Sequence, residues 1–296
     1  MALSLGWHII IACFGVGFPG LLLVAEWRGH RSGDATWTTL ARRWAKALAV
    51  LFAVGAVSGT ILSFELGILW PRMMGTFGDV WGLPFTIEGI AFFLEAIFIG
   101  IYLYGWDRLS PRAHLIVGLP IVVAGVASAW FVVCANAWMN QPSGFDIEAY
   151  RRTGVVTGVD PMAAMFNRAV PVQTTHMILA AFMVAGFGTA SVYAAGWLRG
   201  RRDRVQRLGF LLPFTVAAAV TPMQIGVGDW AAHFIADNQP VKLAAAESLT
   251  STRSHAPLDI YGVVKVPGAL SFLVGESTDT VVQGLDTVPL GDRPPH

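Results

Sequence analysis

PFTIEGIAFFLEAIFIGIYLYGWDR, residues Pro84 to Arg108, is an apolar run long enough to cross a bilayer, and it carries two carboxylates, Glu88 and Glu95. An ionised carboxylate in the middle of a membrane helix costs about 3 kcal/mol on insertion scales, so such residues mark functional positions by default. Seven residues is close to two helical turns. Both side chains therefore leave one face of the helix, about 10 Å apart along its axis. That geometry suits a metal ligand followed by a proton relay; it also suits two carboxyls buried and hydrogen-bonded between neighbouring helices.

The composition places this run in a membrane protein. The apolar class makes up 54% of the 296 residues and charged residues 13%, and the mean hydropathy is +0.57. The formal net charge of +1 comes from short scattered basic loops rather than one patch, which argues against nucleic acid as a partner. Cys13 and Cys134 both fall in apolar stretches and imply no disulfide framework. Tryptophans near the ends of the apolar runs, such as Trp27, Trp70, Trp106 and Trp197, fit an interfacial aromatic belt.

Read along the chain, the pattern predicts an all-α, polytopic transmembrane bundle of about six spans in residues 1–226, followed by a polar external segment in 227–296. The spans fall at about Ala2–Ala25, Ala47–Leu66, Pro84–Gly105, His114–Ala137, Val172–Trp197 and Leu208–Gly226. The first has no basic residue ahead of it and is read as a retained span. Arg28 to Lys46 reads as a loop. The Gly- and Pro-rich stretch from Phe64 to Pro84 reads as a structured turn, and Pro213 and Pro222 as breaks in the sixth span.

Basic residues set the orientation. The connections after spans one, three and five hold Arg28, Arg31, Arg42, Arg43, Lys46, Arg108, Arg112, Arg199, Arg201, Arg202, Arg204 and Arg207, against Arg72, Arg151, Arg152 and Arg168 after spans two and four. The positive-inside rule then puts the N-terminus and the tail outside. His8, Glu88 and His176 fall toward the outer ends of their spans, at comparable depth. Imidazole is the usual protein ligand to haem iron, so two intramembrane histidines and a carboxylate point to haem, with zinc, proton transport or simple packing as the alternatives.

FELGILWPRMMGTFGDVWGLPFTIEGIAFFLEAIFIGIYLYGWDRL, residues Phe64 to Leu109, closely resembles subunit I of the cytochrome bd-type quinol oxidases, in the branch that includes the cyanide-insensitive enzymes. The resemblance extends to SLGWHIII around His8, NAWMNQPSGF from Asn136, the His176 helix, and GDWAAHFIADNQPVKLAAAES from Gly228. It implies a terminal oxidase of the bacterial inner membrane that oxidises quinol at the outer face and reduces O2 to water. Protons would come from inside, so a proton-motive force arises without pumping. It implies haems b558, b595 and d (or a b-type haem in place of d), a smaller second membrane subunit, and an N-terminus and quinol loop on the periplasmic side. Carried over, His8 matches an axial ligand in the b595 and d pair, Glu88 a carboxylate at the same site, and Glu95 a residue of the proton route. His176 matches a ligand of haem b558, and Lys242 and Glu247 match two residues of the external quinol loop. Asn136 and Trp138 match a supporting segment.

The family pattern has about nine spans, with later helices that carry a methionine opposite His176 and a further glutamate. The sequence, ending at Asp292 to His296, is therefore expected to be truncated at its C-terminus and slightly at its N-terminus. Two other functions fit parts of the pattern. One is a non-enzymatic haem-binding electron-relay subunit or an inactive oxidase fragment. The other is a transporter using Glu88 and Glu95, which leaves the histidines unexplained.

Overall fold

A computed structural model describes residues 1–260, 262–290 and 293, so the Asp292 to His296 ending, Arg293 apart, lies outside the described residues. The chain forms two compact units, Met1–Gln224 and Ile225–His296.

Six long helices are apolar enough to cross a membrane: α1 (Ala2–Ser32), α2 (Ala35–Leu69), α3 (Pro71–Gly105), α4 (Pro111–Asn140), α7 (Val170–Leu198) and α8 (Arg204–Asn238). Two short helices, α5 (Ile147–Thr153) and α6 (Pro161–Met165), occupy the connection between α4 and α7. At 1.5 Å per residue the long helices measure about 44 to 52 Å, well beyond the roughly 30 Å hydrocarbon core, so their ends reach into the interfaces. A stripe on α2, formed by Val50, Val54, Val57, Ile61, Phe64 and Ile68, is exposed and apolar, as a bilayer requires of a lipid-facing surface.

The helices run longer than the sequence predicts, and each discrepancy has a physical cause. The basic stretch from Arg28 to Lys46 is helical except for Gly33 and Asp34. Gly33 takes the left-handed conformation that ends α1, and the Asp34 carboxylate caps α2 by accepting from the Thr36 N–H at 2.9 Å. The expected turn from Phe64 to Pro84 shrinks to one residue, Trp70. Pro71 drives Trp70 out of the helical region and then serves as the first residue of α3, where its missing N–H costs nothing. Beyond it the glycines stay helical because the helix packs. Trp81 is 1% exposed and stacks on Trp138 of α4 with ring centroids 5.5 Å apart. Pro213 and Pro222 do not break α8, since proline is tolerated within transmembrane helices whose neighbours satisfy the freed groups.

Small residues set the packing of the first unit. Where α1 meets α7, a Cβ built on Gly17 would lie 2.8 Å from the Ala181 carbonyl oxygen and from the Ala185 Cβ. Ala181 and Ala185, four apart on α7, form the small-xxx-small face that lets the backbones touch. Where α4 meets α1, a Cβ on Gly125 would lie 3.2 Å from the Gly15 carbonyl.

The second unit holds the end of α8, then α9 (Pro240–Ala246), a two-stranded antiparallel hairpin of β1 (Leu258–Ile260) and β2 (Val264–Val266), and α10 (Ala269–Gly275). Its core is small: Ala244, Leu249, Ala256, Leu270, Val282 and Leu285.

Candidate functional site

The structure gives each candidate residue a distinct setting. His8 on α1 is half-buried against α2. Its Nδ1 lies 2.9 Å from Ser58 Oγ, and a Cβ on Gly59 would come within 3.0 Å of the ring. The backbone carbonyls of Val54 and Gly55 lie 3.0 and 3.1 Å from the same hydroxyl oxygen. When the Ser58 proton goes to one of those carbonyls, the hydroxyl oxygen accepts from His8 Nδ1–H and Nε2 presents its lone pair. An imidazole held by Nδ1–H to a protein oxygen is the form in which histidine binds a metal. In that tautomer the chemistry of His8 fits a haem iron.

Glu88 and Glu95 lie on one face of α3, toward α4. The Ser128 hydroxyl donates to Glu88 Oε1 at 2.9 Å. Glu95 is 6% exposed and sits against Gly125, whose Cβ would lie 3.3 Å from Glu95 Oε1. Because α3 begins at Pro71 rather than Pro84, Glu88 sits near the middle of its helix, about 26 Å from the start, not near its outer end. His8 and His176 each lie only about 9 Å from theirs. Among the described residues, no three His, Cys, Asp or Glu side chains converge as ligands of one ion, so a zinc-type ligand set is not formed.

His176 is exposed on α7, with both ring nitrogens facing the Gln224 amide at 3.0 and 3.3 Å. The Gln224 Oε1 is buried without a hydrogen-bond partner. Asn136 donates to Gln173 Oε1 at 2.9 Å, tying α4 to α7, while Trp138 donates to the Ser143 carbonyl and belongs to the Trp81 stack.

In the second unit, Lys242 is exposed on α9 and Glu247 caps the end of the same helix. Five positions apart, they do not share a helical face. Glu247 Oε2 accepts from the Asp259 N–H at 3.2 Å and lines an open depression of about 450 Å³ with Leu258, Asp259 and Ile260.

One arrangement escapes the sequence reading. Glu26, 1% exposed on α1, accepts from the Tyr102 hydroxyl of α3 at 2.5 Å through Oε2, and its Oε1 lies 2.7 Å from Nδ1 of His114 on α4. His114 Nε2 lies 2.9 Å from the Tyr102 carbonyl, and His30 Nε2 lies 3.2 Å from Glu26 Oε1. Tyr102 follows Glu95 by seven residues, as Glu95 follows Glu88, so one face of α3 bears all three. Nearby, Arg42 in the first turns of α2 pairs with Asp107, just beyond the end of α3, and holds that carboxyl below the usual carboxylate range. Ser58, Ser128 and Gln224 were also missed, being ordinary residues in apolar helices until their partners are seen.

Comparisons with known proteins agree with this picture. Residues 1–296 match the family model described as cytochrome bd terminal oxidase subunit I. Over 307 residues the chain is 39% identical to the putative cytochrome bd menaquinol oxidase subunit I of Bacillus subtilis strain 168, covering 99% of this chain and 68% of that one. It is 30% identical over 301 residues to cytochrome bd-II ubiquinol oxidase subunit 1 of Escherichia coli K12, covering 96% of this chain and 57% of that relative. The bd oxidase structure from Geobacillus thermodenitrificans superposes with a TM-score of 0.89 at 38% identity, covering 99% of this chain and 69% of that one. With the whole chain matched, six apolar helices in the expected order and a solved neighbour of the same architecture, this multi-pass membrane protein belongs to the cytochrome bd terminal oxidase subunit I family.

Proposed function

We propose that the chain is the haem-bearing catalytic subunit of a bacterial terminal oxidase, oxidising quinol at the outer face and reducing O2 to water with protons drawn from inside. The observation that supports this reading is the contact of His8 Nδ1 with Ser58, which suits a histidine that binds iron through Nε2, together with two carboxylates on one face of α3. His8 would hold one high-spin haem of the b595 and d (or b-type) pair, with Glu88 at the same site, and His176 would hold haem b558. Haem supplies one-electron transfer and O2 binding when present. The protein's own residues do the rest. Ser58 orients His8, and Ser128 orients Glu88. Glu95, seven residues further toward the basic-loop end of α3, would pass protons toward that site. Lys242 and Glu247 would engage quinol in the second unit, and a smaller membrane subunit would complete the complex. Relatives named for menaquinol and for ubiquinol both match, so the quinol is assigned only as a class.

The test is a dithionite-reduced minus oxidised spectrum of the chain, produced with a second subunit of the family in a host lacking other terminal oxidases, together with quinol-driven O2 consumption. Bands of b-type haem with a red-shifted chlorin band, and O2 uptake lost in Lys242→Ala and Glu247→Ala variants, are expected. Well-inserted protein without haem bands would overturn the reading.

A further inference from the structure

The Glu26 cluster is buried, titratable and unused by the roles assigned above. It lies where α1 ends, α3 ends and α4 begins, the end of the bundle that bears the Arg-rich connections. Its hydrogen-bond geometry fixes where protons sit. A backbone carbonyl can only accept, so the contact between His114 Nε2 and the Tyr102 carbonyl requires Nε2–H. The remaining ring nitrogen, Nδ1, faces Glu26 Oε1 at 2.7 Å. Two lone pairs cannot share that distance, so one proton lies between them, whether written as imidazolium and carboxylate or as imidazole and carboxylic acid. The second carboxylate oxygen is occupied by the Tyr102 hydroxyl.

The cluster also has a way in. His30 is exposed, contacts Glu26 Oε1, and lines an open depression of about 490 Å³ with Gly29, Gly33, Thr38, Thr39 and Arg42. Arg42, the charged group that α2 presents there, is paired with Asp107 and leaves His30 to exchange with water. Among the described residues no α7 side chain hydrogen-bonds any member of the cluster. The three carboxylate and imidazole groups are not arranged around one ion either.

We infer that Glu26 and His114 form a proton-loading site, filled from solvent through His30 and emptied through Tyr102 toward Glu95; its direction rests on the oxidase reading above. In the loading step His30 gives up its Nε2 proton to Glu26 Oε1 and regains one from water, so imidazolium becomes imidazole as carboxylate becomes carboxyl. His114 cannot conduct further, because its Nε2 ends on a carbonyl; it holds the proton. Tyr102 is the outlet. The loaded carboxyl turns about its Cγ–Cδ bond to bring its O–H to Tyr102, whose oxygen takes that proton as its own passes to water on the Glu95 side, leaving the phenol neutral before and after and Glu26 a carboxylate again. Glu95 lies one heptad, about 10 Å, further along the same face. The Gly118 backbone of α4 packs against Leu23 and the Tyr102 ring, and Gly125, one heptad on, packs against Glu95; the buried Ile99 of α3 and Ile121 of α4 fill the face between, so transfer to Glu95 requires these two side chains to part.

The experiment is an infrared pH titration of the assembled full-length complex in H2O and D2O, with turnover measured alongside. A carboxyl band that grows on acidification, shifts within mixing time in D2O and is absent in Glu26→Gln is expected; His30→Gln should slow the shift. No band assignable to Glu26 at any pH, or one that resists exchange for hours in the wild type, would overturn the proposal. In turnover, Glu26→Gln should lower quinol-driven O2 consumption about a hundredfold with haem bands intact, and Glu26→Asp should restore most of it. Tyr102→Phe should keep the loading band yet lose a comparable share of turnover. A purely structural tie would instead let the isosteric Glu26→Gln work normally, which would also overturn the proposal. Should Glu26→Gln fail to assemble, His30→Gln and Tyr102→Phe decide it. If the wild type consumes no O2 with quinol, the oxidase reading fails while the infrared arm still tests the loading site.

Discussion

Ser58 Oγ lies 2.9 Å from His8 Nδ1, with the carbonyls of Val54 and Gly55 at 3.0 and 3.1 Å as acceptors for its own proton. With that proton on a carbonyl, Ser58 accepts from His8 Nδ1–H and favours the tautomer that leaves Nε2 free, which makes a prediction. Ser58→Ala removes the acceptor and leaves the ring free to rotate and to change tautomer. Haem affinity at the His8 site should fall about 10- to 100-fold, the usual cost of losing such a second contact, while Ser58→Thr retains it. Haem per polypeptide and the high-spin part of the visible spectrum measure this. An unchanged spectrum in Ser58→Ala would sink the tautomer argument.

Glu95 presses against the bare backbone of Gly125, which in turn lies close to the Gly15 carbonyl of α1. Glu95→Gln keeps the shape and removes the exchangeable proton. Quinol-driven O2 consumption should drop about a hundredfold, with haem content and protein yield unchanged. Gly125→Leu should also lower it, for a different reason: the larger side chain has to displace either Glu95 or α1. Thermal stability separates the two, falling in Gly125→Leu and holding in Glu95→Gln.

The number and order of the spans are legible in the sequence because a bilayer demands long uninterrupted apolar runs, and Glu88 and Glu95 stand out in one of them. The exact course of the helices is not. Glycines and prolines from Phe64 to Pro84 carry local penalties that argue for a turn, and only the Trp81–Trp138 stack, formed between residues 57 positions apart, shows what offsets them. The Glu26 cluster is hidden for a similar reason. A glutamate beside Trp27 and Arg28 at the end of an apolar run reads as an interfacial charge, and nothing local indicates that Tyr102 and His114, 76 and 88 residues away, close over it. The one signal was positional: a polar residue at the C-terminal end of the first and third spans and at the N-terminal end of the fourth, which fall on one side of the membrane.

Gly17 brings α1 close to α7, with Ala181 and Ala185 opposite. Gly17→Val places a branched side chain where even a methyl would lie 2.8 Å from two atoms. Overpacking of this kind costs about 1 to 3 kcal/mol. The melting temperature of the detergent-solubilised protein should fall accordingly, while a substitution on the exposed α2 stripe, such as Val57→Ala, should leave it within about 0.5 kcal/mol. Equal effects at the two sites would mean that α1 and α7 do not pack as closely as the structure describes.

The second unit offers a pH prediction. The Thr252 hydroxyl and N–H both donate to Asp286, at 2.7 and 3.0 Å, and hold its carboxyl below the usual aspartate range. A carboxyl depressed in the folded state favours folding wherever the unfolded chain would be ionised too, so its contribution is fully present above about pH 4 and is lost as pH falls through the lower folded value. The Thr252 hydroxyl in turn accepts from the Gly284 N–H at 2.9 Å, so the carboxylate steadies two segments 32 residues apart. Asp286→Asn should therefore speed amide exchange at Thr252 and Gly284 relative to wild type at pH 7, and the difference should shrink toward zero in strong acid. A difference that instead grew on acidification would carry the opposite sign and exclude Asp286 as the stabilising group.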